Sequence, residues 1–202
     1  MSKLVLSAGA QNQSDSTPFN ARGGKTGEQM VSQLHGRYYE QVYRGNVFSV
    51  IAQGATGVTT SAGLSTTHTG LAIANPAGSG KNLVLLHFML GQFAAGAAAV
   101  VGIMGGAGVL TANLTPQSML VGSGGVSVAR GSAGDTISTP VLLGKYAQLG
   151  SLATTGYGLT PGVFIPIDGS IIVPPGSFIA SYTSIATTSA CNFGFVWEEV
   201  TA

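Results

Sequence analysis

The sequence predicts an all-β fold, a jelly-roll-like β-sandwich that carries an extended N-terminal arm. Short apolar runs are separated by Gly and Pro turns, which is the spacing typical of sandwiches. Glycine is abundant, with 31 copies in 202 residues, and only 7% of the residues are charged, against about 25% in soluble domains. One run, residues 83–93, is apolar on both faces of a strand, as expected inside a sandwich or at an interface.

Charge divides the chain into two parts. Residues 1–45 hold eight of the fifteen charged side chains, and the other 157 residues hold seven. We therefore predict an arm over residues 1–45 and a sandwich body over residues 46–202. The arm is polar and interrupted by glycine up to residue 27, so it cannot bury enough surface to fold alone. Residues 28–44 fit either a short helix or an extended segment.

Aromatic and guanidinium side chains cluster at the end of the arm, and this composition is typical of interface anchors. The interface candidates are Arg37, Tyr38, Tyr39, Tyr43 and Arg44, together with the single tryptophan, Trp197. The alternative for the arm residues is a first helix that packs on its own domain.

The body reads as strands throughout. Predicted strand segments are 47–51, 71–73, 83–93, 97–104, 119–121, 126–128, 141–143, 163–165 and 192–200, with 170–173 and 177–182 as a hairpin-like pair around Pro174-Pro175-Gly176. Residues 56–69 fit a ribbon or a loop. In the central strand, alternation places Leu83, Leu85, Met89 and Phe93 on one side and Val84, Leu86, Phe88 and Leu90 on the other.

No catalytic, cofactor or metal constellation is present in the sequence. Residues 78–82 resemble a phosphate loop, but Asn75 replaces the first glycine, Asn82 replaces the Ser/Thr, and a strand follows. His35, His68 and His87 lack metal-ligand spacing. Glu198 and Glu199 leave a strand on opposite faces, which indicates a solvated strand end or an intersubunit contact. We expect a protein that is not an enzyme and binds no cofactor.

The composition also limits the partners. Net charge is +1 with no basic run, so we expect no nucleic acid. An apolar window at 91–109 is broken by six glycines, so we expect no membrane span. The apolar run at the N-terminus is too short for a signal peptide. A surface with so few charges favours a protein that is part of an assembly. The apolar strand over residues 83–93 and the strand after it favour a homodimer or homotrimer.

Three blocks, residues 27–46, 75–82 with the strand that follows, and 172–176 with 196–200, resemble structural proteins of tailed, especially short-tailed, bacteriophages. The style is similar to jelly-roll cement or decoration proteins of capsids. This resemblance implies a virion protein on the capsid surface, assembled in the host cytoplasm, that binds the major capsid protein and neighbouring copies. A tail or head-fibre protein that binds a host receptor is the first alternative. A membrane- or glycan-binding protein is the alternative from another class.

Overall fold

A computed structural model describes residues 36–52, 57–92, 98–111, 113–150 and 162–202. The chain divides into two units, Met1–Tyr39 and Glu40–Ala202, whereas the sequence placed this boundary near Gly45. Most of the predicted arm lies outside the described residues, and so does the alternative of a helix or an extended segment over residues 28–35.

The described residues are almost entirely β. They contain a five-residue helix, α1 (Tyr39–Tyr43), and the strands β1 (Val47–Ile51), β2 (Val58–Thr60), β3 (Thr67–Asn75), β4 (Lys81–Gln92), β5 (Ala99–Ala107), β6 (Gln117–Ser118), β7 (Arg130–Thr136), β8 (Val141–Leu149), β9 (Val163–Pro166), β10 (Ile172–Val173), β11 (Ser177–Thr183) and β12 (Thr187–Thr201). The all-β prediction is confirmed. Two predicted segments, 119–121 and 126–128, are loop residues, and the polar, Gly-containing β7 was not predicted.

Two antiparallel sheets form a sandwich. The first has the order β10-β4-β12-β1-β6, with β9 also paired to β4 and β2 to β12, and the second has the order β7-β3-β11-β5-β8. The core between them draws aromatic side chains from the first sheet and aliphatic ones from both. Phe88 stacks on Phe193 and Phe195 at ring-centroid distances of 6.0 and 5.3 Å. These rings lie on the two long central strands, which explains why the longest apolar run of the sequence is at the centre of the first sheet.

The predicted sidedness of the central strand is wrong beyond Leu85. The pairing of β4 with β12 shifts register between Leu85 and His87, which leaves Leu86 as the extra residue of a β-bulge. One additional residue reverses the alternation. The inward side chains are therefore Leu83, Leu85, Phe88 and Leu90, and Phe93 lies outside the described residues.

A buried asparagine organises the corner where the chain passes twice between the sheets. Asn75 is fully buried, and its Nδ2 donates to the carbonyls of Lys81 (2.7 Å) and Val173 (2.9 Å). Its Oδ1 accepts from the Ser79 hydroxyl at 2.6 Å, and its backbone oxygen accepts from Gly176 N at 2.8 Å. The crossings β3–β4 and β10–β11 are thus tied together side by side.

The predicted hairpin over residues 170–182 is therefore wrong. β10 pairs with β4 in the first sheet, whereas β11 pairs with β3 and β5 in the second. The turn at Pro174-Pro175-Gly176 is a crossing between sheets, and the amide of Gly176, where φ is +80°, donates to Asn75. Local turn chemistry is the same for both outcomes, so the sequence could not separate them.

Candidate interaction surfaces

The helix α1 carries part of the predicted interface cluster. Tyr39 and Tyr43 stand at its two ends and are both exposed. Arg44 Nε donates to Glu40 Oε1 at 2.7 Å in an i,i+4 ion pair, and the guanidinium of Arg37 lies 5.6 Å from the ring centroid of Tyr38. The described part of this cluster therefore offers aromatic and charged groups at the surface, as interface anchors do.

Trp197 does not belong to that surface. It lies on β12, is 0% exposed, and stacks on Phe48 with ring centroids 6.5 Å apart. Its side chain is therefore a core element of the sandwich, and we withdraw it as an interface candidate. The alternation of β12 decides this, because Phe193, Phe195 and Trp197 share the inward face.

An apolar cleft opens between the edges of the two sheets. We define the β8–β10 cleft by Val141 and Leu143 of β8, Ile172 of β10, and Gly105 on its floor; its volume is about 230 Å³. The three aliphatic side chains are each about half exposed. Since β10 is only two residues long, it does not cover the inward face of β8.

A second apolar groove lies on the outer face of the first sheet. Ile51, Met89 and Phe164 line it, with a volume of about 210 Å³. Phe164 is 61% exposed, and its ring lies 5.1 Å from that of His87. A side chain at Gly194 would clash with Met89 Cε, so the glycine lets Met89 lie flat across the strand.

Glu199 is not a solvated strand end, so that part of the prediction is wrong for it, and the intersubunit contact stays a prediction. Only 6% of Glu199 is exposed, and its Oε1 accepts from the Ser127 hydroxyl and from Val128 N. Its neighbour Glu198 is half-buried, and burial raises the pKa of that carboxyl above its ordinary range. Glu199 thereby holds the loop that follows β6.

That loop is a surface feature which sequence reasoning missed. Residues 119–126, here named the Val121 loop, present Val121 and Val126 with 94% and 86% of their surface exposed. Their β propensity predicts a strand at both positions. Gly122-Ser123-Gly124-Gly125 between them was the available signal for a turn.

The residues His68, Ser181 and Asp135 have the types of a hydrolase triad, but their bonds are structural. His68 Nε2 meets the backbone oxygen of Ser181 at 3.1 Å, and the Ser181 hydroxyl accepts from Leu71 N at 3.0 Å. The carboxylate oxygens of Asp135 accept hydrogen bonds from the backbone amides of Thr111 and Thr136. Burial lowers the pKa of His68, although the hydrogen bond with the Ser181 backbone and the charge of Asp135 act to raise it.

The segment that resembles a phosphate loop forms a turn. Residues 76–80 form the turn before β4, with positive φ at Gly78 and Gly80, so the predicted turn before a strand is confirmed. Within the described residues, no group of three His, Cys, Asp or Glu is placed to hold a metal ion. No helix in this part of the chain is long and apolar enough to cross a membrane.

Comparison with known protein families, curated proteins and solved structures gives no match for this chain.

Proposed function

We propose that this protein is a virion structural protein of a tailed bacteriophage, a cement or decoration protein that stabilises the capsid. The carrying observation is the surface of the body: residues 46–202 hold only seven charged side chains, and a cleft, a groove and a loop expose apolar groups. Apolar surface rimmed by polar groups marks contact sites between proteins, and a surface so poor in charge suits a permanently assembled protein.

The finer architecture belongs to the same proposal. The two crossings tied by Asn75 support a jelly-roll-like path of the chain, in which paired strands fold from one sheet onto the other. Residues 1–45 act as an arm that binds the major capsid protein or a neighbouring copy. Arg37, Tyr38, Tyr39, Tyr43 and Arg44 are its anchors.

Stabilisation follows from mass action. A protein that binds only the assembled shell raises the stability of that state. Each copy needs a contact of about 1,000 Å² to be specific, and repetition over the shell makes many such contacts act together. The protein is expected on the capsid surface and as a homo-oligomer.

The arm can be tested apart from the body. We expect deletion of the arm, residues 1–45, and the double variant Tyr38→Ala/Tyr43→Ala, to abolish capsid association with little change in melting temperature. Aromatic and Arg anchors at interface centres each contribute about 2 kcal/mol or more. The measurement is a capsid pull-down beside a thermal melt. The matched control, Tyr38→Phe/Tyr43→Phe, keeps both rings and should retain most of the binding.

A melting temperature lowered by the double alanine variant would favour the alternative of a helix that packs on its own domain. Absence of the protein from purified capsids by mass spectrometry would contradict the whole proposal. Cryo-electron microscopy of the particle separates a capsid position from a tail or head-fibre position, and only the latter fits receptor binding.

The glycan-binding alternative loses its best aromatic group, because Trp197 is fully buried and a sugar platform needs an accessible ring. A glycan array tests what remains of it, and flotation with liposomes tests the membrane-binding alternative. Specific binding in either assay, without capsid association, would replace the proposal.

A further inference from the structure

The Val121 loop is fixed in shape by its own serines and glycines. Ser123 N donates to Leu120 O at 3.1 Å, and the hydroxyls of Ser118 and Ser123 lie 3.1 Å apart. Gly122 and Gly124 have φ values of +82° and +68°, which side-chain-bearing residues rarely adopt. These hydrogen bonds and glycine turns define the conformation in which the loop presents its two valines.

Glu199 holds the loop at its base. Its carboxylate accepts from the Ser127 hydroxyl and from Val128 N, the latter at 3.0 Å. Burying a carboxylate without hydrogen bonds costs free energy, so the bonds from the loop stabilise buried Glu199 and Glu199 in turn holds the loop. On the other side of the loop, Met119 N donates to Val47 O of β1 at 2.9 Å. The two exposed valines are thus presented from a base that is fixed at both ends.

The same chain carries a matching recess, the β8–β10 cleft. Its lining is aliphatic, aromatic, glycine, proline and serine, without a charged side chain. Leu143 belongs to the inward face of the second sheet, because a Cβ on Gly105 would meet both Leu143 Cδ1 and Ile179 Cγ2 at 3.2 Å. Among the described residues, no strand covers this part of the sandwich interior. The recess suits an apolar, uncharged group of small size.

We propose that the Val121 loop of one copy inserts Val121 and Val126 into the β8–β10 cleft of a second copy. Their near-complete exposure shows that they do not fill the cleft of their own copy. The contact joins two different surfaces, so each copy has one of each: two copies can exchange loops reciprocally about a two-fold axis, or copies can join head to tail into a ring such as a trimer. The inference rests on the self-association part of the proposed function and assigns surfaces to it.

The small extent of one contact requires that several contacts act together. A stable dimer buries about 1,200–2,000 Å² in total, and one loop tip in one cleft buries much less. In a reciprocal dimer and in a closed ring each copy uses both surfaces, so that weak contacts act together.

A lipid bilayer is the less suitable occupant for the loop. Interfacial segments combine aromatic residues with Lys or Arg. Residues 119–126 contain no aromatic residue, and residues 82–129 contain no charged residue. A preformed apolar recess on a protein is the better fit.

The test uses engineered cysteines, because the one native cysteine, Cys191, is buried and does not compete. The full-length variants Val121→Cys and Leu143→Cys are mixed under mild oxidation. We expect a cross-linked dimer to form only in the mixture. The matched control is Leu64→Cys, an exposed leucine in the turn before β3, mixed with Leu143→Cys; it should give about tenfold less product or none.

Substitution of the valines tests the energetics. Val121→Ser/Val126→Ser should weaken self-association in sedimentation by about tenfold per buried valine, and the melting temperature of the dilute protein should not change. Glu199→Ala should reduce cross-linking and speed amide exchange at Val128, whereas Glu198→Ala should do neither.

Equal cross-linking of the 121 and 64 variants, or self-association unchanged by the double serine variant, would overturn the inference. So would cross-linking of Val121→Cys to a capsid protein in place of a second copy, or loss of vesicle binding in the double serine variant. Capsid pull-down is scored separately, so self-association without capsid binding refutes the proposed function alone, and the reverse refutes this inference alone.

Discussion

Replacing Asn75 by alanine should destabilise the sandwich by about 3 kcal/mol. The side chain makes three hydrogen bonds, donating to the carbonyls of Lys81 and Val173 and accepting from the Ser79 hydroxyl. Each is worth about 1 kcal/mol net, and buried carbonyls that lose their donors add to the cost. The effect should exceed that of a surface asparagine, because the site is fully buried.

The assay is urea unfolding followed by the fluorescence of Trp197, the single and fully buried tryptophan. Asn113→Ala is the matched control, since Asn113 is exposed and its Oδ1 accepts one bond, from Ala133 N at 2.8 Å; we expect a loss below about 1 kcal/mol. Asn75→Asp keeps the acceptor and removes the donors, so it should cost at least as much as alanine. If Asn75→Ala were no more destabilising than Asn113→Ala, the conclusion that the Asn75 side chain stabilises this corner would be refuted.

Three further outcomes are expected. Trp197→Ala should lower the free energy of unfolding by about 3–5 kcal/mol, measured by circular dichroism. A variant that stays stable but no longer binds the capsid would show that Trp197 is an interface residue. Burial lowers the pKa of His68 from 6.5, so native His68 stays neutral while the unfolded chain takes up a proton. The free energy of unfolding should therefore be highest above pH 6.5 and should decrease as the pH falls from 6.5 through the lowered pKa. Denaturation at several pH values measures this decrease, which should be absent in His68→Phe. Burial raises the pKa of the Cys191 thiol, although its hydrogen bond with Thr187 opposes this, so an alkylating reagent at pH 8 should label it only after unfolding. Labelling of the native protein would show that this part of the core opens.

Part of the architecture follows from local patterns. The all-β class is determined by short apolar runs between Gly and Pro, and the strands β1, β4, β5 and β12 lie close to where β propensity and apolar character place them. The turn before β4 was predictable because Gly78 and Gly80 allow the positive φ that it uses. Chemical inference was weaker, since the sequence offered only absences and composition for the candidate surfaces.

The tertiary structure decided what depends on partners distant in the chain. The bulge at Leu86 reverses the faces of β4 because β12 pairs with an offset, and no local pattern of β4 records that offset. Glu199 becomes buried because Ser127 and Val128, some 70 positions earlier, supply its hydrogen bonds. The segments around Gly176 separate into two sheets because Asn75 joins one crossing to the other. By itself the sequence determined most of the segments that extend or turn, because propensity and alternation act over a few residues; β7, sheet membership, sidedness and the exposed valines required the long-range pairing of strands.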